Sequence, residues 1–382
     1  MNVDILLKGG LVIDPANGVC EKRDVAVKGG KIVDVPKDAQ AEREFNAEGY
    51  LVTPGLIDNH AHVFKPGADF DVNADSTCIP QGVTALVDAG SAGSVTYDNF
   101  HRISVTGSHT RIYALLHVSR LGMLTLRKHA DLDPANFDLE EMKEVCSRYK
   151  GEIVGIKCMM SKSIVEDLGL KPLEVAVQYG EELGLPVVVH VTDPAVTMDK
   201  IADVLRKGDI LCHCYHGTGD TIIGSDGKVL PGIWKARERG VLFDSASGKS
   251  HLNFPVTKAA LAEGFVPDII STDITTLSHY VYQAIGLPFL MSMFLNLGLD
   301  LKDVVEKCTV APAKWMGIAK EQGTLAPGTV GDIAVFKLLE NRPTKFLDTQ
   351  RNEFVGDKLL IPQLTIFKGK VAYRNLEFNT EA

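Results

Sequence analysis

The sequence predicts an α/β protein: a (β/α)8 TIM barrel over residues 54–319, with a small β-sandwich domain built from both termini, residues 1–53 and 320–382. Three observations carry this. Short apolar, β-prone runs alternate with helical patterns through the middle of the chain. The two ends are β-rich and repeat one another's phrasing. Histidine, lysine and aspartate residues recur at the C-terminal ends of the predicted barrel strands, where barrels place their chemistry.

In chain order, Leu6-Leu7-Lys8-Gly9-Gly10-Leu11-Val12-Ile13-Asp14 is echoed by Ala26-Val27-Lys28-Gly29-Gly30-Lys31-Ile32-Val33-Asp34. Each reads as a β-run, a Gly turn and a second β-run, hence a hairpin. The phrase returns as Ile366-Phe367-Lys368-Gly369-Lys370-Val371-Ala372-Tyr373, accompanied by strand-like runs at 332–338 and 359–366. Between the ends, strands are expected at 56–62, 84–89, 111–118, 153–159, 187–191, 210–215, 241–245 and 269–274. Helical patterns separate them. Asp138 can cap a helix with Glu140 and Glu141 in its first turn. The pattern at 172–184 stops at Gly184, and 198–207 and 256–264 read alike. The apolar run at 280–299 is interrupted by Gln283, Gly286, Pro288, Ser292 and Asn296, and reads as a buried helix rather than a membrane span.

Composition bounds the function. The chain has 382 residues, 45% hydrophobic and 23% charged, enough for one barrel and a smaller domain. A formal net charge of −9 argues against nucleic acid or anionic membrane as the main partner. Seven scattered cysteines without paired spacing read as reduced thiols, and the N-terminal sequence has no signal-peptide plan. The expectation is a cytoplasmic enzyme acting on a small molecule.

The chemistry starts at Pro54-Gly55-Leu56-Ile57-Asp58-Asn59-His60-Ala61-His62. His60 and His62 are two apart, so on a strand both imidazoles face one side and form half a metal site. Alone, a His-x-His pair is more often structural. Four further strand ends change the odds: Lys157 in an apolar run, His190 after Val187-Val188-Val189, His213 and His216 in Cys212-His213-Cys214-Tyr215-His216, and Asp273. His213 and His216 are three apart and cannot both point inward from one strand. His213, inside the expected strand, is the candidate ligand, and His216 a substrate-side group or a surface one. Cys158, Cys212 and Cys214 flank these residues by one position and are expected to point into the barrel–helix packing.

This set, in this order, resembles the amidohydrolase superfamily of metal-dependent hydrolases over nearly the whole chain, in particular its dihydroorotase-related binuclear branch and the deacetylases within it. The opening phrase Val52-Thr53-Pro54-Gly55-Leu56-Ile57-Asp58 and the exit Thr309-Val310-Ala311-Pro312-Ala313, with Gly323-Thr324-Leu325 and Gly331-Asp332 beyond it, also fit. The resemblance implies two divalent metal ions, expected to be zinc: His60, His62 and Asp273 on one, His190 and His213 on the other. Lys157, carboxylated by CO2, would bridge both. A protonated amine cannot ligate, whereas a carbamate is an anion with two oxygens. The implied mechanism is attack of a metal-bridging hydroxide on an amide or ester carbonyl, with Asp273 as base and then acid. A homo-oligomer is a family-level expectation.

Substrate choice is less marked. Dihydroorotases of the family carry an Arg just after His-x-His, and here the chain continues Val63-Phe64-Lys65. Adenine and cytosine deaminases of the superfamily usually lack a carboxylated lysine, so Lys157 argues against that activity. Candidate substrate contacts are Arg120, His216, Lys249, Ser250, His251 and His279. Arg120 and Lys249 suit an anionic acyl compound, such as an N-acetyl amino acid or an O-acetyl hydroxy acid. A deacetylase-like hydrolase is therefore the leading expectation, a cyclic amide or imide hydrolase the second, and a catalytically silent scaffold a remote third.

Overall fold

The computed structural model describes residues 2–65, 67–124, 126, 131–281 and 285–378. Five strands precede the barrel: β1 (Asn2–Asp14), β2 (Val19–Lys28), β3 (Lys31–Val33), β4 (Gln40–Asn46) and β5 (Leu51–Pro54). The barrel strands are β6 (Leu56–Ala61), β7 (Val83–Asp88), β8 (Arg111–His117), β9 (Ile153–Met159), β10 (Val187–His190), β11 (Ile210–Cys212) and β12 (Leu242–Asp244). Five more follow: β13 (Ile333–Leu339), β14 (Thr344–Leu347), β15 (Glu353–Gly356), β16 (Leu359–Phe367) and β17 (Lys370–Arg374).

Both ends of the chain join one sheet, in the order β17-β16-β13-β5-β1-β2-β3, with β4 paired to β1. Alternate apolar residues of its strands, among them Ile5, Leu7, Val27, Val52, Val335 and Leu364, bury a core separate from that of the barrel. Two of the three glycine phrases are hairpin turns: Gly29-Gly30 joins β2 to β3 and Lys368-Gly369 joins β16 to β17. The first is not. Gly9-Gly10 lies inside β1 as a bulge, where the pairing with β2 shifts register between Leu7 and Gly10. Gly9 has φ +69°, and a Cβ on Gly10 would come within 2.5 Å of Val52. Those glycines bend one strand past β5 rather than reversing it.

The barrel strands form a parallel sheet, β12-β11-β10-β9-β8-β7-β6. Seven of the eight expected strands are regular. The eighth segment, residues 269–274, closes the ring through single bridges, Asp244 to Ile269 and Ala61 to Ile274. Its backbone is bonded on both sides: Asp273 N–H donates to His60 O at 2.7 Å, and Gly248 N–H to Thr272 O at 2.9 Å. The ladder fails because the Asp58 side chain takes the Thr272 N–H at 3.0 Å and Asp273 turns to φ +50°.

The helical readings hold with small end shifts. Asp138 accepts from Glu141 N–H and caps Leu139–Arg148; Lys171–Leu183 stops at Gly184 in the left-handed region. Met198–Val204 and Phe254–Ala262 are helical, the latter capped by Asn253. In the apolar run at 280–299, the helix is Leu287–Asn296 and buries most of its residues; Gln283 lies outside the described residues. No helix among the described residues is long and apolar enough to cross a membrane, and all seven cysteines are free thiols.

Candidate metal centre and active site

The barrel mouth gathers the strand-end residues. His60 comes from β6 and His62 from the residue just past it, both buried, with ring centroids 5.6 Å apart. Asp273, from the ring-closing segment, places Oδ1 3.2 Å from His62 Nε2 and 3.7 Å from His60 Nε2. Lys157 on β9 is 1% exposed, with Nζ 3.3 Å from His60 Nε2. Its stem fits because residue 90 is glycine: a Cβ there would lie 2.5 Å from Lys157 Cβ. His190, at the end of β10, and His213 have ring centroids 4.5 Å apart, and His213 lies 5.1 Å from His60.

Strand alternation alone would not aim His213 inward. β11 ends at Cys212, and His213 has φ +60°, a left-handed kink that turns its side chain into the mouth. The expected place for Cys212 is corrected by the same kink. Cys212 packs inside the barrel with Val87, Leu115, Val188 and Ala246, whereas Cys158 and Cys214 lie in the barrel–helix core. Ligand atoms of Cys212, His60 and Asp244 fall within 4.8 Å of one another in the barrel floor.

Among the described residues, two further groups of donor atoms meet that limit: His60, His62 and Asp273, and His190, His213 and His251. His213 Nδ1–H donates to Ala246 O at 2.6 Å, which leaves the Nε2 lone pair toward the cluster without a protein partner. Burial is the main force holding His60, His190 and His213 well below the usual imidazole range, so all three are neutral, the ligand form. Burial opposes the charge on His62 too, but the adjacent Asp273 outweighs it and raises that imidazole. Burial lowers the Lys157 ammonium. Lone-pair donors crowded around so few N–H groups are the chemistry of a cation site. These residues fit divalent metal ions.

The substrate-side candidates divide. Lys249, Ser250 and His251, on the loop after β12, line a cavity of about 670 Å³ that opens from Lys157, His62, His190 and Asp273. His251 is the most deeply placed, with Nε2 3.3 Å from Asp273 Oδ2 and Nδ1 2.7 Å from Thr192 Oγ1. Arg120 is not in the lining: its guanidinium is half-exposed and paired with Glu141 at 2.9 Å. His279 also stays out, its Nδ1 bonded to Ile285 O. His216 is fully buried in the turn after His213, and its ring nitrogens have no partner among the described residues.

Sequence reading missed Ser161, which bonds His190 Nε2 at 3.1 Å, and Ser91, which bonds His62 Nδ1 at 2.9 Å. It also missed Thr192 and the apolar wall of Phe70, Met123, Leu126, Ile164 and Leu277. Thr192 and Ser161 sit two and four residues past a predicted ligand, a signal that was available; the wall comes from separate loops and left none.

A closed parallel barrel with imidazoles, a buried lysine and a carboxylate converging on its mouth defines a metal-binding barrel enzyme. The comparisons agree. The model of the amidohydrolase family matches residues 51–372. A deacetylase of Enterococcus faecalis is 30% identical over 376 residues, covering 97% of this chain and 99% of that one. A crystal structure of an adenine deaminase superposes with a TM-score of 0.90 at 28% identity, over 98% of this chain and all (100%) of that one. A dihydroorotase structure gives 0.86 at 26% identity, over 99% of both. The chain belongs to the amidohydrolase family, and it is a hydrolase.

Proposed function

We propose that the chain is a two-metal, deacetylase-like hydrolase that cleaves the amide or ester carbonyl of a small acylated acid. One observation carries the reading: His60, His62 and Asp273 form one donor group, His190 and His213 belong to a second with His251, and Lys157, 3.3 Å from His60, lines one cavity together with His62, His190 and Asp273. His60, His62, Asp273, His190 and His213 would hold the two ions, zinc by preference, and Lys157 would span them as its carbamate. When bound, such ions supply water ionised near neutral pH and polarise a carbonyl.

The protein's own residues do the rest. Asp273 stands where a carboxylate can take a proton from the attacking water at Oδ1 and return it to the leaving nitrogen or oxygen, base first and acid second. His251, against Oδ2, fixes the orientation of that carboxylate. Among the described residues, Lys249 is the cation that lines the cavity besides the buried Lys157, so the acid group of the substrate is assigned to it. Phe70, Met123, Leu126, Ile164 and Leu277 offer apolar surface to the rest of the molecule. The deacetylase relative supports the removal of an acetyl group. A second reading, ring opening of a cyclic imide, draws on the dihydroorotase likeness but has no Arg after His62 to grip such a substrate.

The test is acid or ammonia release by protein expressed with zinc and bicarbonate. The panel holds N-acetyl amino acids of both hands, O-acetyl hydroxy acids, dihydroorotate, hydantoins and adenine. Acetate from a linear acyl acid is expected, and Lys157→Ala should lose both the activity and bound metal. Ring opening or ammonia release alone would replace the reading.

A further inference from the structure

The small domain reaches back onto the barrel mouth. Between β13 and β16 the chain extends as the β14–β15 hairpin, outside the eight-stranded sheet. Its apolar face is anchored to barrel helices: Phe354 packs edge-on against Phe254 at 4.8 Å, and Phe346 lies 5.0 Å from Phe289. Asn296, at the end of the helix Leu287–Asn296, accepts from Asp357 N–H at 2.9 Å and Lys358 N–H at 3.1 Å, pinning the hairpin's base.

The hairpin's tip then grips the loop that carries Lys249, Ser250 and His251. Thr349 N–H donates to Leu252 O at 3.1 Å, and Leu252 N–H donates to Thr349 Oγ1 at 3.3 Å. Phe254 N–H donates to Asp348 Oδ2 at 2.8 Å. Gln350 joins two parts of the mouth: its Oε1 accepts from Asn253 Nδ2 at 3.1 Å, and its Nε2 donates to Gly217 O at 2.8 Å. Asp348 is buried and also accepts from Gln350 N–H and Asn352 N–H, so one carboxylate holds the tip's shape and the loop together.

On its other side the loop is fixed to the barrel. Gly248 N–H donates to Thr272 O, and a Cβ on Gly248 would clash with Asp273 Oδ2. The segment is thus clamped between the ring-closing strand and a hairpin of the other domain. Lys249 stands on the partition, lining both the main cavity and a smaller one of about 150 Å³ whose far wall is Leu347, Asp348, Thr349 and Arg351.

We propose that the hairpin of residues 344–356 is a positioning element for the active site, with Asp348 and Gln350 the residues that hold the Lys249–His251 loop in place. Neither touches the reacting atoms; both act through the loop. The inference rests on the reading that this loop faces the hydrolysed substrate. It makes the small domain part of the catalytic machinery, since it stabilises the mouth across the domain boundary.

The experiment compares Asp348→Ala, Asp348→Asn and Gln350→Ala with the parent, by amide hydrogen exchange over residues 248–254, metal content and acetate-release kinetics. Faster exchange in the loop, unchanged metal content and a fall of about tenfold in kcat/KM, mostly through KM, are expected for Asp348→Ala. Asp348→Asn should recover part of this, because one acceptor oxygen remains. Gln350 is exposed, so its variant tests the idea even if Asp348→Ala fails to fold. Faster loop exchange with kcat and KM both unchanged would overturn the proposal, as would unaltered exchange in both Asp348→Ala and Gln350→Ala. If the parent binds metal but hydrolyses nothing in the panel, the substrate reading fails by itself, and loop exchange still decides whether the hairpin holds the loop.

Discussion

Lys249 and Arg120 were equivalent in the sequence, two loop cations after barrel strands, and the structure separates them. Arg120 spends its charge on Glu141 at the surface, and burial plays almost no part there. Lys249 stands in the wall of the cavity. Lys249→Ala is therefore expected to raise KM for an anionic acyl substrate about tenfold, the effect of losing one charge-assisted contact of ~1.5 kcal/mol. Arg120→Ala should leave kcat/KM within about twofold, since an exposed pair contributes little. Steady-state kinetics on the same substrate check both, and the reverse pattern would move the acid-binding end of the cavity to the other side. The ligand-type residues were readable because each sits at a strand end with apolar residues before it. What could not be read is how His213 reaches the mouth. Its left-handed backbone is a product of tertiary closure, and strand alternation taken alone would have chosen Cys212.

Among the elements, the short helix Ala74–Thr77 shows how a single carboxylate ties loops to the barrel. Asp75 accepts from His109 N–H at 2.9 Å, from Thr110 N–H at 2.7 Å and from Thr110 Oγ1 at 2.8 Å, holding the lead-in to β8. Burial pushes its pKa up, but these donors outweigh burial and the net shift is below the ordinary value of 3.8. A depressed carboxylate stabilises the fold above its unfolded pKa, and that contribution is lost as pH falls through the folded value. Asp75→Asn is expected to cost about 1 kcal/mol at pH 7, a figure reduced for partial exposure, with the difference from the parent vanishing near pH 2. Urea unfolding at the two pH values measures it, and an equal deficit at both would refute the electrostatic account. The eighth barrel segment and the Gly9-Gly10 bulge mark the limit of sequence patterning for elements. Apolar periodicity finds a β-prone run but does not say whether its N–H groups meet a strand or a side chain such as Asp58.

At the scale of the molecule, the barrel floor holds more buried polar chemistry than a core of this kind retains without compensation. Asp58 and Asp244 are both buried, and burial drives their carboxyls up to about 6 and about 7 respectively. His213 Nε2, the lone pair turned toward the donor cluster, has no partner among the described residues, and neither have His60 Nδ1, His117 Nε2 and both nitrogens of His216. Unpaired groups of this sort each cost on the order of 1–3 kcal/mol, which a fold tolerates where a ligand or ion completes the network. On the proposed ligand set, metal binding is coupled to the stability of the whole barrel, because those residues come from β6, β9, β10, the turn after β11 and the closing segment. An ion present at about a hundred times its dissociation constant stabilises the native state by ~2.7 kcal/mol. Removing two with a chelator should lower the thermal midpoint by at least about 5 °C, and re-addition of zinc should restore it. The shift should be largely absent in His190→Ala combined with His60→Ala, which takes one imidazole from each donor group. A chelator that leaves the midpoint of the parent unmoved, while metal analysis shows the ions gone, would mean that the floor is satisfied by the protein alone.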